Sequence, residues 1–174
     1  MRRAALAVAV AFALLPLSAH GARTQSTDSE CLHSAGDARS TGIGEARLDA
    51  RKADLLRRLG VPAEQSASSM NWCVDGGGRL LTAFDSHARL RFVASTSFDT
   101  RIRRVRTGSS LRAVKRAYPH AFWIGKQLLR AQRGSRIVFG SCSCGSVAYV
   151  GVTDAGSAAK IRYYAKRAGV PRGE

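Results

Sequence analysis

The sequence predicts an α+β protein made of two tandem helix–β-meander repeats, which form an antiparallel sheet with helices on one face, plus a C-terminal helix. The first observation is an internal repeat with a shift of 57 residues. Residues 79–81 (RLL) recur as 136–138 (RIV), and the apolar positions of residues 90–96 recur in residues 147–153. Self-similarity of this kind indicates duplicated structural units. The second observation is that a helical pattern precedes the strand patterns in each copy.

Residues 43–97 form the predicted first repeat, which begins with a helix over residues 49–59. Leucines recur at positions that share one face of an α-helix, namely Leu48, Leu55, Leu56 and Leu59. Asp49 is the predicted N-cap, because its carboxylate can accept amide hydrogens of the first turn. Gly60 and Pro62 end the helix, since glycine adopts the left-handed cap conformation and proline cannot continue the hydrogen bonding.

Three strands complete the first repeat, at residues 71–74, 79–84 and 89–96. Asp75 and the three glycines after it supply the positive φ angles that a tight hairpin between the first two strands requires. In the third strand, apolar residues alternate with arginines, which indicates a sheet with one covered face.

Residues 98–170 form the predicted second repeat, and residues 171–174 form a short tail. Its helix begins at a cap on Ser109 or Ser110 and ends at Tyr118. The strands predicted after it are residues 121–124, 127–131, 136–139 and 146–153, and the C-terminal helix is residues 157–168. Because a short meander with one helix is marginal alone, the two repeats are expected to share one core.

Residues 1–22 have the pattern of a secretory signal peptide, with a basic start, a continuous apolar run and small residues near its end. Cleavage is expected near Gly21 or Ala22, and no lipid-attachment cysteine follows the cut. The mature protein is therefore expected to be secreted or otherwise extracytoplasmic, and not lipid-anchored. Residues 23–42 are rich in Ser, Thr, Asp and Gly, and they are predicted to form a flexible N-terminal arm.

The chain has four cysteines, Cys31, Cys73, Cys142 and Cys144. An even number in an exported protein favours disulfides, and four cysteines permit three connectivities. The favoured pairing is Cys31 with Cys73, which would attach the arm to the first strand, and Cys142 with Cys144 as a tight pair in a turn. A pairing of Cys31 with Cys142 or Cys144 stays open. A tight, strained Cys-x-Cys pair in a turn is easily reduced, and it is the basis of a thiol redox hypothesis.

The chain is strongly basic, with 28 Lys and Arg against 12 Asp and Glu and a net charge of +16. A cluster without acidic residues lies in residues 101–116 and contains Arg101, Arg103, Arg104, Arg106, Arg112, Lys115 and Arg116. Such a cluster attracts anionic polymers or anionic membrane surfaces, and the alternative is a solvated face that reflects composition. Specific nucleic-acid binding is not expected, because no stacking aromatic residues are interleaved with the basic ones.

No arrangement of residues that would support catalysis is visible, so no enzyme activity, catalytic residue, metal site or cofactor is predicted. Asp85, Ser86 and His87 have the residue types of a hydrolase triad, but consecutive residues in a turn do not converge on one point. The glycine run at residues 76–78 joins two strands and does not open a helix, as a phosphate loop would. The Cys-x-Cys spacing is shorter than that of structural zinc sites.

The two helix-to-strand segments carry a resemblance to known families. Residues 48–62 (LDARKADLLRRLGVP) and 108–119 (GSSLRAVKRAYP), each followed by strands, resemble the tandem-repeat fold of the beta-lactamase inhibitory proteins. They also look like the small outer-membrane-assembly lipoproteins of the SmpA type. Gly108 and the Leu-Gly-Val-Pro end of the first helix match those families, whereas Asp49 replaces the first glycine and Tyr118-Pro119 alters the second helix end. The resemblance implies a fold, and binding in place of catalysis.

The functional prediction is an exported, non-enzymatic binding protein whose partner is an unknown protein. The expected surface is the sheet face or the seam between the repeats. The alternatives are a polyanion or envelope-surface binder that uses the basic cluster, and a thiol redox protein that uses Cys142 and Cys144.

Overall fold

A computed structural model describes residues 30–125, 128–131 and 137–171. The predicted signal peptide, the first part of the arm and the end of the tail lie outside these residues. The helices in the described part of the chain are α1 (Lys52–Leu59), α2 (Leu111–Ala117) and α3 (Ala158–Arg167). The strands are β1 (Ala38–Arg39), β2 (Gly42–Ile43), β3 (Ala46–Arg47), β4 (Glu64–Gln65), β5 (Ser69–Cys73), β6 (Arg79–Phe84), β7 (Leu90–Ser95), β8 (Arg101–Ile102), β9 (Val105–Arg106), β10 (Phe122–Trp123), β11 (Leu128–Ala131), β12 (Ile137–Ser141) and β13 (Val147–Thr153).

Eight of these strands form one sheet in the order β10-β11-β12-β13-β7-β6-β5-β4, and all neighbours are antiparallel. The pairing of β7 with β13 at the centre joins the two halves of the chain. Each half runs through short strands, one helix and a four-stranded meander. The predicted α+β class with a large antiparallel sheet is therefore confirmed.

Each half of the sheet contains a β-bulge, in which one strand has an extra residue. Arg91 is the extra residue of the β6–β7 pair, and Ala148 is the extra residue of the β12–β13 pair. The two positions differ by 57, the shift of the predicted repeat. The tandem repeat itself stays a prediction, and the matched bulges are the structural observation that supports it.

The first face of the sheet carries the main core, which α1 and α2 cover. Leu55 of α1 and Val114 of α2 are fully buried in the same apolar cluster as sheet residues from both halves. These sheet residues include Trp72, Leu80, Phe84, Leu129 and Phe139. Since the cluster extends across the seam, neither half buries its apolar side chains alone.

The opposite face is covered in part by α3. Its buried residues Ile161 and Ala165 face the sheet, as the amphipathic pattern of the predicted C-terminal helix requires. Ser157 caps this helix by accepting a hydrogen bond from the amide of Lys160. Ser110 caps α2 in the same way, which selects it from the two serines that the sequence offered.

Two local predictions differ from the structure. The sequence assigned residues 23–42 to a flexible arm, but β1 lies within it, β2 begins at its last residue, and Ala35 and Ala38 of the arm are buried in the main core. Short strands of small residues carry little periodic signal, so composition alone suggested a loop. Asp49 is not the cap of α1, because it adopts a positive φ of 66° and its carboxylate pairs with Arg89. The cap position is Arg51, which makes no side-chain cap hydrogen bond.

Within residues 30–125, 128–131 and 137–171, no helix combines the length and the hydrophobicity that a membrane span requires.

Candidate functional site

The sheet face opposite α1 and α2 includes the surface on which binding was predicted, and α3 covers its centre. Ala165 of α3 and Ala168, which follows the helix, lie in one buried cluster with Leu81, Phe92 and Tyr149 of the sheet. The helix leaves an opening on each side, one toward β5 and β6 and the other toward β11. The open sheet face that the sequence suggested is thus divided by α3, with these two openings beside the C-terminal half of the helix.

The larger opening is a groove of about 490 Å³ between the C-terminal end of α3 and the strands of the first half. Leu81 of β6 and Ala148 of β13 line it, so both halves of the chain contribute to its apolar part. The other lining residues are Glu64, Asn71, Gly78, Arg79, Thr96, Gly169 and Pro171. We call this site the seam groove. It combines an apolar floor with a polar wall.

The polar wall of the seam groove is an ordered hydrogen-bond network at the edge of the sheet. Arg79 Nη1 lies 2.6 Å from Glu64 Oε1, and Asn71 Nδ2 donates to Glu64 Oε2 at 3.2 Å. The hydrogen bonds from Asn71 and then from Arg79 hold the pKa of Glu64 below its usual range. Glu64 is therefore an ionised acceptor and Arg79 a charged donor, which suits recognition of polar groups on a partner.

A second polar cluster lies on the same face near the N-terminal half of α3. Arg91 Nε is 2.7 Å from Asp85 Oδ2, and Arg91 Nη1 is 2.5 Å from Asp154 Oδ2 and 3.5 Å from Asp49 Oδ1. Three carboxylates from distant parts of the sequence thus meet at the guanidinium of Arg91, the extra residue of the first bulge. Asp154 follows β13, so this cluster links the two halves.

The Arg91 cluster holds Asp85 in its ionised form. Burial alone would raise the pKa of Asp85, but hydrogen bonds from the Arg89 amide, the Arg91 guanidinium and the His87 amide together lower it. Because the folded-state pKa lies below the unfolded value of about 4, this carboxylate stabilises the fold above that pH. The stabilisation is lost as the pH falls through the lowered pKa.

We expect the Arg91→Gln variant to lose about 2 kcal/mol of unfolding free energy at neutral pH, because it leaves two mostly buried carboxylates without their cation. Urea denaturation between about pH 2 and pH 6 measures this difference, which should shrink as the pH falls below about 4. An Arg58→Gln variant, on the exposed face of α1, is the control. A difference that stays constant across this pH range would contradict the proposed role of the ion pairs.

The seven basic residues of the predicted cluster are exposed on the β8–β9 hairpin and on α2. The Arg103 guanidinium lies over the ring of Tyr118, 5.1 Å from its centroid. Lys115 donates a hydrogen bond to the carbonyl of Ala121, and Arg101 Nε is 3.8 Å from Asp37. Three residues of the predicted basic cluster therefore contact neighbouring residues of this chain, and polyanion binding stays a hypothesis.

The cysteines are paired as the sequence favoured, Cys31 with Cys73 and Cys142 with Cys144. The first bond attaches residues 31–32 to the end of β5, where the amide of Leu32 donates to the carbonyl of Cys73 at 2.9 Å. The second lies in the turn between β12 and β13. Its Cys144 is exposed, which leaves the thiol redox hypothesis open.

Sequence reasoning did not identify Asn71, Arg79 or Arg91 as site residues. Asn71 and Arg79 are polar residues that interrupt otherwise apolar strand patterns. This interruption was the sequence signal that could have identified them as site residues. It was too weak to use, because the assignment of residues to a sheet face depends on register, and the bulge at Arg91 shifts that register.

No family model and no curated protein matches the chain. Among solved structures, the chain is similar to an extracellular protein containing a SCP domain from Bacillus anthracis str. Ames, with a TM-score of 0.47 and 10% sequence identity. The match covers 67% of this chain and 47% of that protein, so it spans about half of the other chain's length. A likeness at this level identifies no family and carries no inference about function.

Proposed function

We propose that this protein is an exported, non-enzymatic binding protein, and that it binds another protein through the seam groove. Export is supported by the signal-peptide pattern in residues 1–22 and by the two disulfides, which are typical of oxidising compartments. One observation in particular supports the proposal: residues from both halves of the chain line the groove beside α3.

The composition of the seam groove is that of a recognition surface. Its apolar part, Leu81 and Ala148, would contact an apolar side chain of the partner, as the centre of a protein interface does. Its polar wall offers a charged donor on Arg79, whose side chain is 56% exposed beside Glu64. Arg79 can therefore form a charge-assisted hydrogen bond with a carboxylate or a backbone carbonyl of the partner.

The carboxylates of the Arg91 cluster support a binding role in preference to a catalytic one. A general acid needs a carboxyl group that holds its proton near the working pH. Asp85 has the opposite property, because its hydrogen bonds lower its pKa, and Asp154 is held by the same guanidinium. Asp85 is therefore unsuited to act as a general acid at neutral pH.

We expect that the immobilised wild-type protein will retain a saturable protein partner from culture supernatant or envelope extract, and that Ala148→Arg will abolish the capture. Ala148 is half-buried in the groove, so an arginine there fills it. The matched control is Ala159→Arg, the same change on the exposed side of α3. Quantitative mass spectrometry of the eluates measures the capture. Equal capture by both variants would contradict the proposed site, and turnover of a substrate by the purified protein would contradict the non-enzymatic role.

A further inference from the structure

A second opening beside α3 is an apolar cavity of about 180 Å³, on the side of the helix that faces β11. Its lining residues are Leu128, Tyr149, Arg162, Ala165, Lys166, Val170 and Pro171. An engineered cavity of about 150 Å³ in another protein binds one benzene molecule. The volume of the cavity therefore suits one aromatic ring, and the cavity is smaller than the seam groove.

Tyr149 is one of the residues that line this cavity, and its ring lies directly over Gly140. A Cβ atom added to Gly140 would be 1.9 Å from Tyr149 Cε1 and 2.5 Å from Cζ. Gly140 pairs with Tyr149 on one side and with Leu128 on the other. The ring thus extends from β13 across β12, in the direction of β11, where Leu128 also lines the cavity.

The hydroxyl group of Tyr149 has no hydrogen-bond partner among the described residues, although only 1% of the residue is exposed. A buried hydroxyl without a partner is unfavourable. Burial also raises the pKa of Tyr149, so the group stays neutral and keeps its hydrogen to donate. The fold does not require this hydroxyl, because Phe92 follows the corresponding bulge of the first half and is fully buried there.

Two cations of α3 lie at the rim of the same cavity. Arg162 and Lys166 are one helical turn apart, and both are exposed. Arg162 Nη1 donates to the carbonyl of Ile124, which orients the guanidinium, and Lys166 forms no ion pair with any described residue. The rim is therefore positively charged and suited to a carboxylate.

We propose that this cavity is a binding site for a small aromatic hydroxy acid. The ring fills the apolar space between the sheet and α3, the phenolic hydroxyl pairs with the hydroxyl of Tyr149, and the carboxylate faces Arg162 and Lys166. Each part of this ligand matches one observed feature: the volume, the unpartnered hydroxyl and the charged rim. The site shares only Pro171 with the lining of the seam groove, and it does not depend on a protein partner.

The test is a calorimetric titration of the full-length mature protein with 4-hydroxybenzoate and with benzoate. We expect the wild type to bind 4-hydroxybenzoate about fivefold more tightly, since one buried neutral hydrogen bond contributes that much. In Tyr149→Phe this preference should disappear while the affinity for benzoate is unchanged. Lys166→Gln should weaken both ligands, and its matched control Lys160→Gln, one and a half turns away on α3, should weaken neither.

The outcomes distinguish a specific binding site from nonspecific electrostatic attraction of anions to a basic protein. Absence of saturable binding of both acids, or a preference for 4-hydroxybenzoate that persists in Tyr149→Phe, would overturn the proposal. The Tyr149→Phe variant should remain folded, because phenylalanine occupies the corresponding position in the first half. Its midpoint in urea should even rise in the absence of ligand, since the variant removes an unpaired buried hydroxyl.

Discussion

Replacing Cys31 and Cys73 by serine should lower the free energy of unfolding by about 4 kcal/mol, the largest effect that we expect from any change in this protein. The disulfide joins residues 42 positions apart, so it removes much of the chain entropy of the unfolded state. It also holds Leu32 beside Val74, where the amide of Asp75 donates to the Leu32 carbonyl at 2.8 Å. Urea denaturation measures the loss, and the fluorescence of buried Trp72 reports unfolding.

The second disulfide provides the control for this expectation. Cys142 and Cys144 are two positions apart, so their bond restricts the unfolded chain very little. Serine at both positions should therefore change stability far less than serine at Cys31 and Cys73. Equal losses for the two double variants would show that loop closure is not the reason for the stabilisation.

The longer strands after each helix and the N-caps were predictable from the sequence for physical reasons, whereas the two-residue strand β4 was missed. The glycine-rich turn at residues 76–78 and the alternation in β7 depend on local chemistry that the sequence displays. Ser110 and Ser157 are N-caps because a serine hydroxyl can bond to a free amide of the first turn. Such features need no knowledge of distant residues.

The parts that were not predictable depend on contacts between distant residues. β1 and β2 are two residues each, and Ala38 and Ile43 are held in place by the core they join rather than by local propensity. The ion pair between Arg91 and Asp154 spans 63 positions, and no sequence spacing indicates it. The position of α3 on the second face, which determines both candidate sites, likewise follows from packing.

The pairing of Gly140 with Tyr149 is the contact on which the second site depends, and it can be tested through stability. We expect Gly140→Ala to lower the free energy of unfolding by about 3 kcal/mol, because overpacking forces the Tyr149 ring out of its position. An alanine is acceptable to the backbone there, since Ala83 occupies the corresponding place opposite Phe92. The loss would therefore come from the ring and not from the strand.

A second glycine of the same face gives the matched control, and a double variant tests the mechanism. A Cβ atom on Gly151 would be 3.3 Å from Phe92 Cζ, so Gly151→Ala should lose no more than about 1 kcal/mol. Combining Gly140→Ala with Tyr149→Ala should give a smaller loss than the sum of the two single losses, because the double variant has no ring to displace. Strict additivity would show that the ring does not lie over Gly140. The ring of Tyr149 would then not extend toward β11, and the aromatic acid site would lose its proposed hydroxyl partner.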